Sequence, residues 1–158
     1  MECMDDRQLA QEMLAQCVAG RTHQIARIVS QRYDQALKQY GLTSNQLTLL
    51  CMVALMQPVS SSAMLPYLKM EQSTLSRNLD RMVDKGWLAK MPDPGDARTT
   101  SLELTPEGTA KLHDARAGWD DAQAWALDAF GTGGVLALDR SAHRLNPLMP
   151  RGSWPKDE

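Results

Sequence analysis

The sequence predicts a mainly α-helical chain carrying one small β-hairpin. Three observations predict it. Apolar residues recur at steps of three and four over most of the length, the period of an amphipathic helix. Only the stretch 87–104 reads as strands, two short ones flanking the dense turn signal Pro92-Asp93-Pro94-Gly95-Asp96. The apolar stock is Leu, Met, Ala and Val, with ten Met and four Trp but a single Phe, which suits helix packing better than a β-sandwich.

The 158 residues suit one domain, or one domain with an appended oligomerisation element. Hydrophobic residues at 43% and charged residues at 23% are ordinary for a globular protein. The net charge of −2 excludes a polycation, so nucleic-acid binding requires a local basic face. The cysteines are Cys3, Cys17 and Cys51, an odd count without a CxxC pair. Neither a disulfide framework nor a Cys-rich zinc site is expected, and a reducing cytoplasm fits. No apolar run approaches the roughly 18 residues of a membrane span, and the acidic start (Glu2, Asp5, Asp6) argues against a signal peptide.

Residues 6–40 lack Pro, and Leu9, Met13, Cys17, Ile25, Ile28, Val29, Tyr33, Leu37 and Tyr40 follow helical spacing. One helix over this range would be about 50 Å long, too long for a small core to cover alone. Its exposed length needs another chain or a second long helix. Gly41 closes it. Thr43 with Gln46 three residues on is a capping box, and Leu47, Leu50, Val53 and Ala54 give the next helix its inward stripe, ended by Pro58. Ser60, Ser61 and Ser62 offer N-caps for a short helix to about Leu68, with Pro66 expected in or just past its first turn. Residues 71–86 form the next helix, burying Leu75, Leu79, Met82 and Val83 and stopping at Gly86. Trp87–Met91 and Thr99–Leu104 are the strands of a two-stranded hairpin. Thr105-Pro106-Glu107 opens a helix with Thr as N-cap and Pro at the first position, running to about Phe130. Gly131-Thr132-Gly133-Gly134 breaks it, 135–146 is a last helix, and the proline-rich 147–158 is expected to be loose.

Three short helices followed by a hairpin make a winged helix. In a helix-turn-helix the second helix enters the major groove and its N-terminal residues reach base edges. That segment here is Gln72-Ser73-Thr74-Leu75-Ser76-Arg77, with Arg81 one turn on. Hydroxyls meet bases or phosphates, and Arg bonds guanine bidentately. Read alone, the segment also fits a solvated face whose Ser and Thr serve as caps. Arg98 at the hairpin tip suits a minor groove, with Asp96 two residues away to brace it by a charge-assisted bond. Read alone, this too fits an ordinary charged turn.

Gly41-Leu42-Thr43 with Gln46, Ser73-Thr74-Leu75-Ser76-Arg77-Asn78-Leu79, Gly86-Trp87-Leu88, Asp93-Pro94-Gly95-Asp96-Ala97-Arg98 and Leu102-Glu103-Leu104-Thr105-Pro106-Glu107-Gly108 together resemble the MarR family of winged-helix regulators. The resemblance covers 7–146 in layout and is specific from 41 to 112. It implies a winged helix-turn-helix at 42–105, an N-terminal dimerisation helix at 6–40, C-terminal dimerisation helices at 106–146 and a flexible tail at 147–158. It implies an obligate homodimer on a pseudo-palindromic operator in double-stranded DNA. It also implies a repressor released by a small aromatic acid or by cysteine oxidation. DNA contacts are then expected from Gln72, Ser73, Thr74, Ser76, Arg77, Arg81, Asp96 and Arg98. Pro66 and Lys69 depart from the pattern, standing where a helix former and a turn Gly are expected. The 60–104 segment carries six cations and six anions, so a modest salt dependence is expected.

The resemblance also places a reactive cysteine of a peroxide-sensing branch on the first helix, which here carries Cys17. Its distance from Thr43 differs from that branch. Tyr33 keeps one tyrosine position, and His23 occupies the other. A buried, inert thiol is the expectation, and a redox switch is the alternative. An effector pocket between the helices and the winged unit would draw on His23, Arg27, Met52, Tyr67 and Trp119, each of which also reads as plain core or surface. His23, His113 and His143 lack ligand spacing, so no metal is expected. No P-loop, GxGxxG, nucleophile elbow or carboxylate pair is present, so neither a cofactor nor an enzyme is expected. A winged helix can also be a protein-interaction module, but such a module has no need of Arg77 and Arg98 on one surface.

Overall fold

A computed structural model describes residues 5–96, 98–148 and 150–154. The chain begins with α1 (Asp6–Gln16) and α2 (Val18–Leu37), followed by a 3₁₀ turn, Lys38–Tyr40. The single helix expected over 6–40 is therefore broken at Cys17, whose backbone is extended. The break has a local cause. The Cys17 thiol turns back as an N-cap and accepts the Gly20 N–H at 3.3 Å, while α1 has no buried residue to hold it in line with α2.

α3 (Ser44–Met56) starts on the expected capping box. Thr43 Oγ1 accepts from the Gln46 N–H at 3.2 Å, and Gln46 Oε1 accepts from the Thr43 N–H at 3.1 Å. Asp34 of α2 adds a second acceptor, taking the Ser44 N–H at 2.6 Å and locking α2 to the start of α3. Leu47, Leu49, Leu50 and Val53 are buried.

After α3 come β1 (Val59–Ser60), α4 (Ser61–Leu68), α5 (Gln72–Asp84), β2 (Leu88–Pro92) and β3 (Thr100–Leu104). The expected two-stranded hairpin is a three-stranded antiparallel sheet in the order β1-β3-β2. Val59 and Ser60 pair with Leu102 and Ser101, and Ser60, one of the three serines offered as a cap, is also the N-cap of α4. Two residues are too short a run to show a strand period. α4 is capped by Ser60, so Pro66 lies inside the helix and not in its first turn.

α5 ends in a Schellman motif. Trp87 N–H reaches Met82 O at 2.9 Å and Gly86 N–H reaches Val83 O at 2.8 Å. Gly86 sits at φ 74, where a side chain would be strained. The core lies beneath these elements. Leu37, Leu49, Leu50, Met64, Leu75, Met82 and Leu88 are its largest fully buried apolar side chains.

α6 (Pro106–Asp114) and α7 (Arg116–Leu145) complete the chain. Thr105 is the N-cap, accepting from Gly108 N–H at 3.0 Å and donating its hydroxyl to Gly86 O at 2.6 Å. The helix expected to run on to Phe130 ends at Ala115. The expected glycine break narrows to Gly131 alone (φ 63, ψ 165), and helix resumes at once. The first half of α7 packs on α2, with Arg32 bonded to Asp121 at 2.8 Å and Tyr33 donating to Gln123 Oε1. Residues 150–154 lie back against α7. Gly152 N–H bonds Asp139 at 3.1 Å, and Trp154 covers part of the apolar groove between α2 and α7. Residues 155–158, like Cys3, lie outside the described residues.

Candidate nucleic-acid interface

α4 and α5 form a helix-turn-helix, and the β2–β3 loop projects beside it as a wing. The buried face of α5 is Leu75, Leu79 and Met82. That burial turns Gln72, Ser73, Arg77 and Arg81 to solvent, with Thr74 and Ser76 half-buried. Arg77 Nε donates to Ser73 O at 3.1 Å along the helix. Arg81 has no side-chain partner among the described residues.

The wing is built on two aspartates. Asp93 accepts from the N–H groups of Gly95 (2.8 Å) and Asp96 (3.2 Å) and from the Ser101 hydroxyl. These bonds, the Ser101 bond foremost, hold the Asp93 carboxyl below the usual carboxylate range. Asp96 differs from expectation. It accepts from the Arg98 backbone N–H at 3.0 Å and from the Thr99 hydroxyl at 3.2 Å, so it shapes the loop and does not brace the guanidinium. A carboxylate two residues back in a tight turn reaches the backbone first. The Arg98 guanidinium is exposed and has no partner among the described residues. Sequence reading missed Lys90 and Asp80, paired at 2.7 Å, which tie the wing strand β2 to α5. The two residues are ten apart in sequence across a turn, so no helical or strand spacing flags them.

A cleft of about 450 Å³ opens between α2, α3 and the α6–α7 junction. Met52 and Trp119 line it, whereas His23, Arg27 and Tyr67 lie elsewhere. Arg27 instead donates to His23 O along α2, at 3.3 Å. The walls that sequence reading missed are Tyr33, Thr48, Cys51, Leu55 and Leu112. A signal was present. Thr48, Cys51, Met52 and Leu55 fall at i, i+3, i+4 and i+7, a second face of α3 opposite its inward stripe. Leu55 remains 78% exposed. Arg116 at the rim bonds both Asp120 oxygens at 2.9 Å and stacks 5.4 Å from Trp119. Burial raises the Cys51 thiol and the Tyr33 hydroxyl above their ordinary values.

Cys17 is exposed, against the expectation of a buried thiol. Among the described residues no group of three His, Cys, Asp or Glu is arranged to hold a metal ion. No helix among them is long and apolar enough to cross a membrane.

A helix-turn-helix closed by a three-stranded sheet, with an arginine-tipped loop beside the second helix, is a winged helix-turn-helix. The MarR family model matches residues 42–100. The multiple antibiotic resistance protein MarR of Salmonella typhimurium is 31% identical over 87 residues, 52% of this chain and 60% of that protein. The regulator PecS of Dickeya dadantii is 28% identical over 99 residues, 61% of this chain and 60% of that protein. The match thus spans 60% of the length of these curated relatives. Similarity to the M. tuberculosis transcriptional regulator MosR, solved in complex with DNA, runs further. Identity there is 31% with a TM-score of 0.73, covering 84% of this chain and 95% of that one. The chain belongs to the MarR family, a family of transcriptional regulators and not of enzymes.

Proposed function

We propose that this chain is a DNA-binding transcriptional repressor that acts as a homodimer on a pseudo-palindromic operator. One observation carries the reading: the exposed N-terminal face of α5 and the exposed Arg98 of the wing stand on adjacent parts of the fold, joined by the Lys90–Asp80 pair. α5 enters the major groove, where Gln72, Ser73, Thr74, Ser76 and Arg77 meet bases or phosphates and Arg81 meets the backbone. The wing sends Arg98 into the minor groove, with Asp96 fixing the loop that carries it. The similarity to MosR, which was solved on DNA and is matched over 84% of this chain, supports the same reading. The dimer reading has a separate support. Met13, Leu14 and Val18 are 64%, 78% and 77% exposed at the α1–α2 junction, an apolar surface that a second chain would cover. The two recognition helices of such a dimer lie about one DNA turn apart.

Release by a small aromatic ligand is the regulatory part of the proposal. The apolar cleft beside Trp119, with Arg116 at its rim, suits a planar acid.

The test is binding of purified protein to its own upstream intergenic DNA against random duplex of equal length, over a salt series. Preference for the upstream DNA with a two-fold-symmetric footprint is the expected result. No preference at any salt would remove the reading and favour a protein-interaction module. A second reading, a redox input through Cys17, is favoured by its exposed thiol at the α1–α2 break. Unchanged operator binding after mild peroxide treatment would remove that one.

A further inference from the structure

α4 is weak by its own sequence. Pro66 inside it has no N–H to give the preceding turn, and the helix has only eight residues. Lys69 ends it at φ 50 without the freedom of a glycine. Yet α5 packs directly on this helix.

The missing support comes from the far end of the chain. The Asn146 side-chain amide donates to Pro66 O at 3.3 Å and to Tyr67 O at 2.9 Å. These are carbonyls of the last turn of α4, which have no continuing helix to serve them. One amide nitrogen carries two hydrogens, so a single side chain can serve both. Asn146 is only 8% exposed and directly follows α7, with its own N–H on Ala142 O at 2.8 Å. The bond therefore joins the end of the last helix to the first helix of the helix-turn-helix. Pro150, four residues on, stands at the wall of the cleft, so the same short segment touches both cleft and α4.

We propose that Asn146 is a positioning residue for DNA reading, holding α4 and through it the approach of α5. The proposal rests on the DNA-binding function argued above. The bond to two α4 carbonyls makes a donorless replacement informative. Asn146→Asp keeps the shape and sets a carboxylate against both carbonyls, and Asn146→Ala is the milder companion should the first fail to fold.

The experiment is amide hydrogen exchange combined with binding to the upstream duplex over a salt series. Exchange at Leu65, Tyr67, Leu68 and Lys69 is expected to rise about tenfold, with α2 unchanged. Affinity is expected to fall about tenfold. The log–log salt slope is expected to become shallower by about one phosphate contact, because the first helix of such a motif crosses the backbone. A residue that merely stabilises the fold would lower the active fraction at constant slope, and that result overturns the positioning role. Unchanged exchange in α4 overturns it without reference to DNA. If the wild-type chain shows no preference for the upstream duplex, the DNA reading falls and the positioning role with it. The exchange data then still decide whether the amide holds α4.

Discussion

Gly108 tests the packing argument directly. A Cβ built there would overlap the Trp87 carbonyl oxygen and stand 2.9 Å from its carbon, with Leu104 Cδ2 at 3.3 Å. The obstruction is backbone, so a rotamer change cannot relieve it. The same carbonyl accepts from Thr105 N–H at 3.1 Å, and Thr105 in turn caps α6. Gly108→Ala must push α6 away from the start of β2. Overpacking costs about 1–3 kcal/mol, and loosening the Thr105 bond adds about 1 kcal/mol. The helix preference of Ala returns up to about 1 kcal/mol. The net loss is about 1–4 kcal/mol, a fall in Tm of at least about 2 °C for a chain of this size. Calorimetry at fixed protein concentration measures it, since any dimer makes Tm concentration-dependent. Gly133→Ala is the control, because a Cβ there meets nothing within 4 Å. A Gly108→Ala protein melting within about 2 °C of the wild type would refute the reasoning.

Arg98→Ala should weaken operator binding with the dimer intact and reduce the salt slope by about one. Dissociation of the dimer, or unchanged affinity, would contradict the wing assignment. Arg77→Ala should cost about 1–3 kcal/mol on the operator if it reads a base. A loss equal on all sequences makes it a phosphate contact instead. Thr43→Ala removes the α3 capping box and should cost about 1 kcal/mol in urea unfolding, with an unchanged value the contrary result. The Asp93 carboxyl is held below its usual range, chiefly by Ser101, so the order it gives the wing is complete above the ordinary Asp value of about 4. It is lost as pH falls through the lowered folded value. The Gly95 and Asp96 amide resonances report it, and a shift beginning near neutral pH would assign the transition to another group.

The sequence by itself determined the elements whose causes are local. Thr43 with Gln46, Thr105 before Pro106, and Gly86 after the α5 stripe each fix a helix end through neighbours within a few residues. The spacing of Leu75, Leu79 and Met82 set which face of α5 is buried, and hence which side chains remain outside. The motif spanning 86–108 also carried information that only the structure explains. Gly108 is small because Trp87 passes against it.

Tertiary structure alone decided what depends on residues distant in the chain. β1 exists because Val59 and Ser60 find β3 some forty residues later. The walls of the cleft come from α2, α3 and the α6–α7 junction together, so Met52 and Trp119 could be guessed while Tyr33 and Cys51 were not. The break at Cys17 and the turn of Asp96 toward the backbone are choices between competing local bonds, which periodicity does not rank. The bond from Asn146 to α4 spans about eighty residues. A buried amide answers carbonyls that a short, proline-bearing helix cannot satisfy itself, and no spacing rule in the sequence joins the two.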